Sequence, residues 1–297
     1  MSNTRQHGTL EVSLGTKLLL LAAIFFTMLI AASLVVQLVS KISLEQRTSM
    51  LLMSALQGIL IFIVPALVFA RTFSKNPIKY LSLDKAPTWR NVAGIFIIYL
   101  IGMPFLNQII FWNENITFPE SLHGLEQMFR QMENQAMDTT HILLDTTSFL
   151  GMICGVLIIG VLTGFAEESF FRGTFQQSLT KGGVRSGVAI LIVAVVFSAM
   201  HFQFFGFIPR ILLGAFFGYL LCRTGSLWNS VIAHILNNSI VVVSSWMIFR
   251  NYISEDIDKI GVAESGFPWI ALISLTALIL FFKYLDPMFF PKNLKRK

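Results

Sequence analysis

Ionisable side chains are scarce: Asp, Glu, Lys and Arg together make up only 13% of the 297 residues, about half the roughly 25% of a typical soluble domain. Apolar residues take their place at 55%, which argues against a soluble fold. Cysteine is nearly absent. The two that occur, Cys154 and Cys222, stand inside apolar runs, which excludes a disulfide framework and any CxxC metal or redox site. Both read as packing residues. The net charge of +6 has no meaning as a partner signal until each charge is assigned to a side of a membrane, and nucleic-acid binding is disfavoured. No internal repeat, low-complexity tract or linker divides the chain, so residues 1–297 read as a single integral membrane domain.

What is present is a series of long apolar runs. Lipid cannot satisfy an irregular backbone, so a span needs about 20 mostly apolar residues in a helix. Leu18 to Ser40, Thr48 to Ala70, Asn91 to Asn113 and Thr146 to Ala166 meet this with no charged side chain. Ser186 to Pro209, a short Ile211 to Cys222, Thr224 to Phe249 and Phe267 to Phe282 complete a set of eight, the sixth being the weakest. The first run is too long for a signal-peptide apolar region and lacks a small-residue cleavage site, so a retained anchor is expected. The expected fold class is therefore all-α, a polytopic bundle of about eight transmembrane helices.

Eight spans place both termini on one side, and the basic residues test that arrangement because Lys and Arg accumulate in cytoplasmic loops. Of 22 basic residues, the terminus side holds all but six: Lys41, Arg47, Arg130, Arg210, Arg250 and Lys259. The opposite side carries most of the acidic residues. Both termini are thus expected to be cytoplasmic, in a multi-pass protein of a bacterial plasma membrane. The basic segment 71–90 is expected to lie along anionic headgroups. In the acidic loop 113–147, Leu122, Leu125, Phe129, Met132 and Ala136 fit one apolar helix face packed on the bundle.

Against this background, ionisable groups inside spans are informative, because each costs about 2.5–3.5 kcal/mol to insert and needs a partner or a task. They concentrate between residues 165 and 240, in FAEESFFRG (Phe165 to Gly173), FSAMH (Phe197 to His201) and HILNN (His234 to Asn238). Adjacent helical residues point about 100° apart, so Glu167 and Glu168 need different roles. Glu168 and Arg172 are i and i+4 and pair, leaving Glu167 free to face the bundle. A hairpin turning at Lys181 to Arg185 brings Glu167 and His201 level, with the turn projecting beyond the bilayer. His234 and Asn238 share a face of the seventh span. The four are expected to converge in the cytoplasmic half. A purely structural role, with each group satisfied by a neighbouring helix, is the alternative.

A carboxylate and an imidazole can activate water, while a second imidazole and a carboxamide donate to the oxyanion of a tetrahedral intermediate. That combination is an acyl-bond hydrolase. Ser169 and Ser198 lie in no nucleophile motif. Zinc held by Glu167, His201 and His234 is chemically allowed although HExxH is absent. A proton-coupled transporter and a non-catalytic membrane partner are the readings from other classes.

The set EExxxR (Glu167, Glu168, Arg172), FxxxH (Phe197, His201) and HxxxN (His234, Asn238), in this order, resembles the CPBP family, the CAAX-protease and bacteriocin-processing (Abi) intramembrane endopeptidases. The likeness covers about residues 146–250, which form the expected catalytic core. It implies an eight-helix bundle with a site open to the cytosol that cleaves peptide bonds of membrane-associated proteins or peptides. By motif position Glu167 and His201 would be the catalytic water-activating pair and His234 with Asn238 the catalytic oxyanion hole, with Glu168 and Arg172 in support. No cofactor is required in this reading; the family has also been described as metal-dependent, which leaves zinc open. The expected partners are membrane lipid and a membrane-associated protein or peptide substrate, with no nucleic acid.

Overall fold

The computed structural model describes residues 12–291; His7, to which no role is assigned, and the basic residues Arg5, Lys292, Lys295, Arg296 and Lys297 lie outside them. Among the described residues all regular structure is helical. In chain order, α1 is Leu14–Val39, α2 Gln46–Phe73, α3 Trp89–Glu114, α4 His123–Leu144 and α5 Phe149–Lys181. They are followed by α6 Ser186–Ala199, α7 Phe207–Thr224, α8 Leu227–Phe249 and α9 Trp269–Phe289. Seven segments are long and apolar enough to cross a membrane, while α6 is a shorter apolar helix.

Seven spans and one shorter apolar helix stand close to the expected eight, but the weakest is not the one expected. It is the fifth apolar run, not the sixth, that falls short. At 14 residues, α6 extends only about 21 Å at 1.5 Å per residue. The chain turns at Met200 to Gly206 and runs back as α7, which packs along α6. Ser198 closes the base of the turn by donating to the Phe207 carbonyl at 2.7 Å.

Small residues set how closely the site-bearing helices approach, the rule where lipid offers no hydrophobic drive for association. On α5, Gly160 faces Ser239 and Gly164 faces α8. A methyl group at Gly164 would meet the Ile235 amide nitrogen at 3.2 Å and the His234 carbonyl carbon at 3.5 Å. On α7, Gly214 lets α6 come so near that a methyl there would lie 3.3 Å from the Ala194 Cα.

Two π-helical turns, Val156–Leu162 and Phe171–Gln176, bracket the α-helical turns Thr163–Phe170 that carry the glutamate pair. Such turns are rare and break the regular angular progression of side chains. In α3 the interruption at Pro104 is repaired from outside the helix. The Phe105 amide donates to Ser274 Oγ at 3.2 Å, and that hydroxyl donates to the Ile101 carbonyl.

The basic segment after α2 is pinned to the bundle end. The Leu227 amide donates to the Ser82 carbonyl at 2.9 Å and Trp228 Nε1 to the Leu83 carbonyl at 2.9 Å. Leu81 and Ser82 are buried, while Arg71, Lys75 and Lys79 stay exposed. On the opposite end, Arg47 donates to the Leu143 and Gly151 carbonyls at 3.0 and 2.9 Å, tying α2 to the end of α4 and the start of α5.

The inward face of α4 differs from the expected apolar stripe. Phe129, Met132 and Ala136 do turn inward, but Leu122 and Leu125 are exposed, and Glu126, Arg130 and Glu133 lie on the partly buried side. Polar residues belong there because they bind loop backbone: Arg130 donates to the Glu114 and Ile116 carbonyls, and Glu133 accepts from the Phe205 amide.

Candidate active site

Glu168 and Arg172 form an ion pair at 2.7 Å with both side chains fully buried. Arg172 also donates to the Gly214 carbonyl at 2.9 Å, and its guanidinium lies 4.6 Å from the Phe197 ring centre and 5.4 Å from that of Phe217. Burying two charges repays its desolvation only when the remaining donors and acceptors are also engaged. The carbonyl and the aromatic faces supply much of that.

The same carboxylate reaches a second partner that helix spacing alone did not show. His234 Nδ1 lies 2.9 Å from Glu168 Oε1. A carboxylate paired with arginine can only accept, so Nδ1 carries the proton and donates it to this bond. Nε2 is thereby turned to Glu167 Oε2, 3.7 Å away. Phe217 stacks on the His234 ring with centroids 4.8 Å apart, which fixes its plane.

Glu167 is therefore less isolated than the sequence implied, since its near neighbour is the far nitrogen of His234. Its side chain keeps 12% exposure, whereas Glu168 has none. The two adjacent glutamates thus divide into one facing an accessible space and one sealed in the packing.

His201 follows the end of α6. Its Nδ1 lies 2.8 Å from the Phe197 carbonyl, an acceptor, so Nδ1 donates and the neutral ring presents Nε2 as a lone pair. Glu167 and Arg210 lie within electrostatic range of His201. Phe197 lies between the two histidines, its ring 4.9 Å from that of His201 and 5.8 Å from that of His234.

Asn238, one turn beyond His234, donates to the Ile159 carbonyl at 3.1 Å and accepts from Asn237 Nδ2 at 3.2 Å. Its amide is thereby oriented, with the second Nδ2 hydrogen left over. Asn237, Phe217, Gly214 and the Ile159 carbonyl are the parts that the motifs did not reveal. Glycines at 160 and 164, four apart on α5, were the available signal for the approach to α8.

The depth of the set can be measured along α5. Gly151 is level with Arg47 at one end and Lys181 lies against Tyr80 at the other, its ammonium 4.2 Å from the ring centre. Glu167 is sixteen residues from the first and fourteen from the second, about 24 and 21 Å of helix, so the site lies near mid-bundle. The turn at 182–183 packs on the start of α1, with Gly182 against Leu14. The short α6 reaches the site from that end.

Residues 149–240 match the family model described as type II CAAX prenyl endopeptidase Rce1-like. Over this stretch, about a third of the chain, the protein is similar to the CAAX-type intramembrane proteases, which are enzymes. The matched stretch carries Glu167, Glu168, Arg172, Phe197, His201, His234 and Asn238. Neither a curated protein nor a solved structure matches the chain. Among the described residues, no three His, Cys, Asp or Glu side chains are grouped closely enough to hold a metal ion.

Proposed function

We propose that the protein hydrolyses peptide bonds of membrane-associated proteins or peptides with a water activated by Glu167 and His201. The observation that carries this reading is the division of labour between adjacent glutamates. Glu168 is sealed and spent on Arg172 and His234, while Glu167 is accessible and, among the described residues, ion-paired with nothing but the facing histidine. A free carboxylate near an imidazole with an open Nε2 is the pairing that general-base catalysis needs.

In this mechanism water gives its proton to the Glu167 and His201 pair as it attacks the scissile carbonyl. The oxyanion that forms receives hydrogen bonds from His234 Nε2 and the uncommitted Asn238 N–H. His234 can donate from Nε2 only as an imidazolium, because Nδ1–H is already given to Glu168. Glu168 stabilises that cation, and Arg172 holds the Glu168 carboxylate in place. The proton then passes to the departing amine, which conserves the charge of the site over the cycle.

We place the site open to the cytoplasm and both termini on that side, on the strength of the basic loops. Substrates are membrane-associated chains that present an extended segment at mid-bundle depth. Quantitative comparison of membrane peptides from cells carrying wild-type or Glu167→Ala protein tests this. Peptides ending at new C-termini only with the wild type support it, and identical peptide sets overturn it. Purified protein insensitive to chelators fits the water mechanism, whereas one stoichiometric zinc lost together with activity replaces it with a metal-dependent one.

A further inference from the structure

Outside the four site residues, the most heavily braced part of the protein is the turn that follows His201. Phe202 adopts a left-handed backbone, φ 54°, which a bulky residue holds only when its surroundings impose it. Gln203 is gripped from two sides. Arg210 donates to its carbonyl at 3.1 Å and to its Oε1 at 2.9 Å, and its Nε2 donates to Glu133 Oε1 at 2.9 Å. The other Glu133 oxygen accepts from the Phe205 amide at 3.2 Å.

The rings beside this grip repeat the connection. Phe129 stacks on Phe204 with centroids 4.9 Å apart, and the Arg130 guanidinium sits 3.6 Å from the Phe205 ring centre. Glu133, Phe129 and Arg130 all belong to α4, which by composition and position is not a membrane span. The charge of Arg210 also reaches both Glu133 and Glu167.

We infer that Glu133 is a positioning residue for His201, through which the extramembrane helix α4 sets the geometry of the water-activating pair. This rests on the proposed role of His201. Both Glu133 oxygens act on the two residues that fix the turn, Gln203 and Phe205, and His201 is one strained residue away. Freeing the turn lets Phe202 relax to an ordinary backbone, which rotates the chain that carries the imidazole.

The test uses the full-length protein in detergent. Glu133→Ala removes the grip, and Gln203→Glu sets two carboxylates face to face. Combining Gln203→Glu with Glu133→Gln rebuilds the bond with donor and acceptor exchanged. Carbethoxylation of His201 by diethyl pyrocarbonate, followed by mass spectrometry, reads the placement of the imidazole without a substrate. Buried His234 serves as the control for an intact bundle. Both single variants are expected to modify His201 several-fold faster. On a quenched prenylated CAAX peptide they should lose about tenfold to a hundredfold in kcat with little change in KM, the scale for misplacing a catalytic group. The double variant should recover in both readouts.

Wild-type modification and kcat in Glu133→Ala would overturn the inference. So would a double variant no better than its parents, which would mean that the singles act through folding. If His201→Ala instead cleaves like wild type, the catalytic role of His201 fails, and the modification rates still judge the clamp.

Discussion

His234 gives its Nδ1 proton to Glu168 across 2.9 Å, and that bond decides which end of the imidazole is left for Glu167. The second oxygen of Glu168 has no hydrogen-bond partner among the described residues, so one oxygen carries both Arg172 and His234. The pair is therefore sensitive to anything that removes charge from either side.

Arg172→Met leaves Glu168 buried without its cation. Breaking a buried pair from one side costs about 3–5 kcal/mol, so a large drop in thermal midpoint in detergent is expected. Combining it with Glu168→Gln should recover part of that loss, because no uncompensated charge remains. Activity should stay low in both, since His234 faces a carboxylate stripped of its arginine in the single variant and no carboxylate in the double. Recovery of stability with activity in the double variant would contradict the assigned link.

Gly164→Ala inserts a methyl against the backbone of α8 at Ile235 and His234. The helices must part, and His234 moves away from Glu168. Because a shift of about 1 Å can cost a hundredfold in rate, kcat should fall about tenfold or more in protein that still elutes as a folded monodisperse species. Gly187→Ala, where a methyl meets nothing within 4 Å, should leave kcat unchanged.

Asn238→Ala removes an oriented donor and should lower kcat by about a hundredfold to a thousandfold, the usual cost of an oxyanion donor. Asn237→Ala removes only the group that orients Asn238 and should cost less. Equal losses in the two variants would place the catalytic amide elsewhere.

Outside the membrane, Glu126 has its carboxyl held below the usual carboxylate range, chiefly because it accepts from the Phe118 amide and also from Arg130. A depressed folded-state pKa contributes stability that is present above the unfolded value and lost as pH falls through the folded one. Hydrogen exchange at the start of α4 should therefore be pH-independent in its protection near neutrality and lose protection only below the ordinary carboxylate range. Glu126→Gln should abolish that acid-dependent step.

Much of this architecture was legible because membrane chemistry makes sequence patterns strict. Apolar length located the spans, and the scarcity of buried charge isolated Glu167, Glu168, Arg172, His201 and His234. Spacing by four gave the Glu168 and Arg172 pair. The bond from His234 to Glu168 was not legible, because it joins α8 to α5 and depends on the contact set by Gly164 and on π turns that no periodicity reveals. The short α6 was missed because Phe202 to Pro209 is as apolar as a span. Its turn is made by a left-handed Phe202 and by polar grips from α4 and α7, which become visible only in three dimensions.

The central claim is that Glu167 and His201 together activate the hydrolytic water. The most direct measurement is the single-turnover cleavage rate of purified Glu167→Gln and His201→Ala proteins, each shown to retain the wild-type fold. Removal of a positioned general base costs about a hundredfold to ten-thousandfold, and the account predicts losses in that range for both variants, with the double variant little worse than either. Cleavage by either folded variant at the wild-type rate would contradict it.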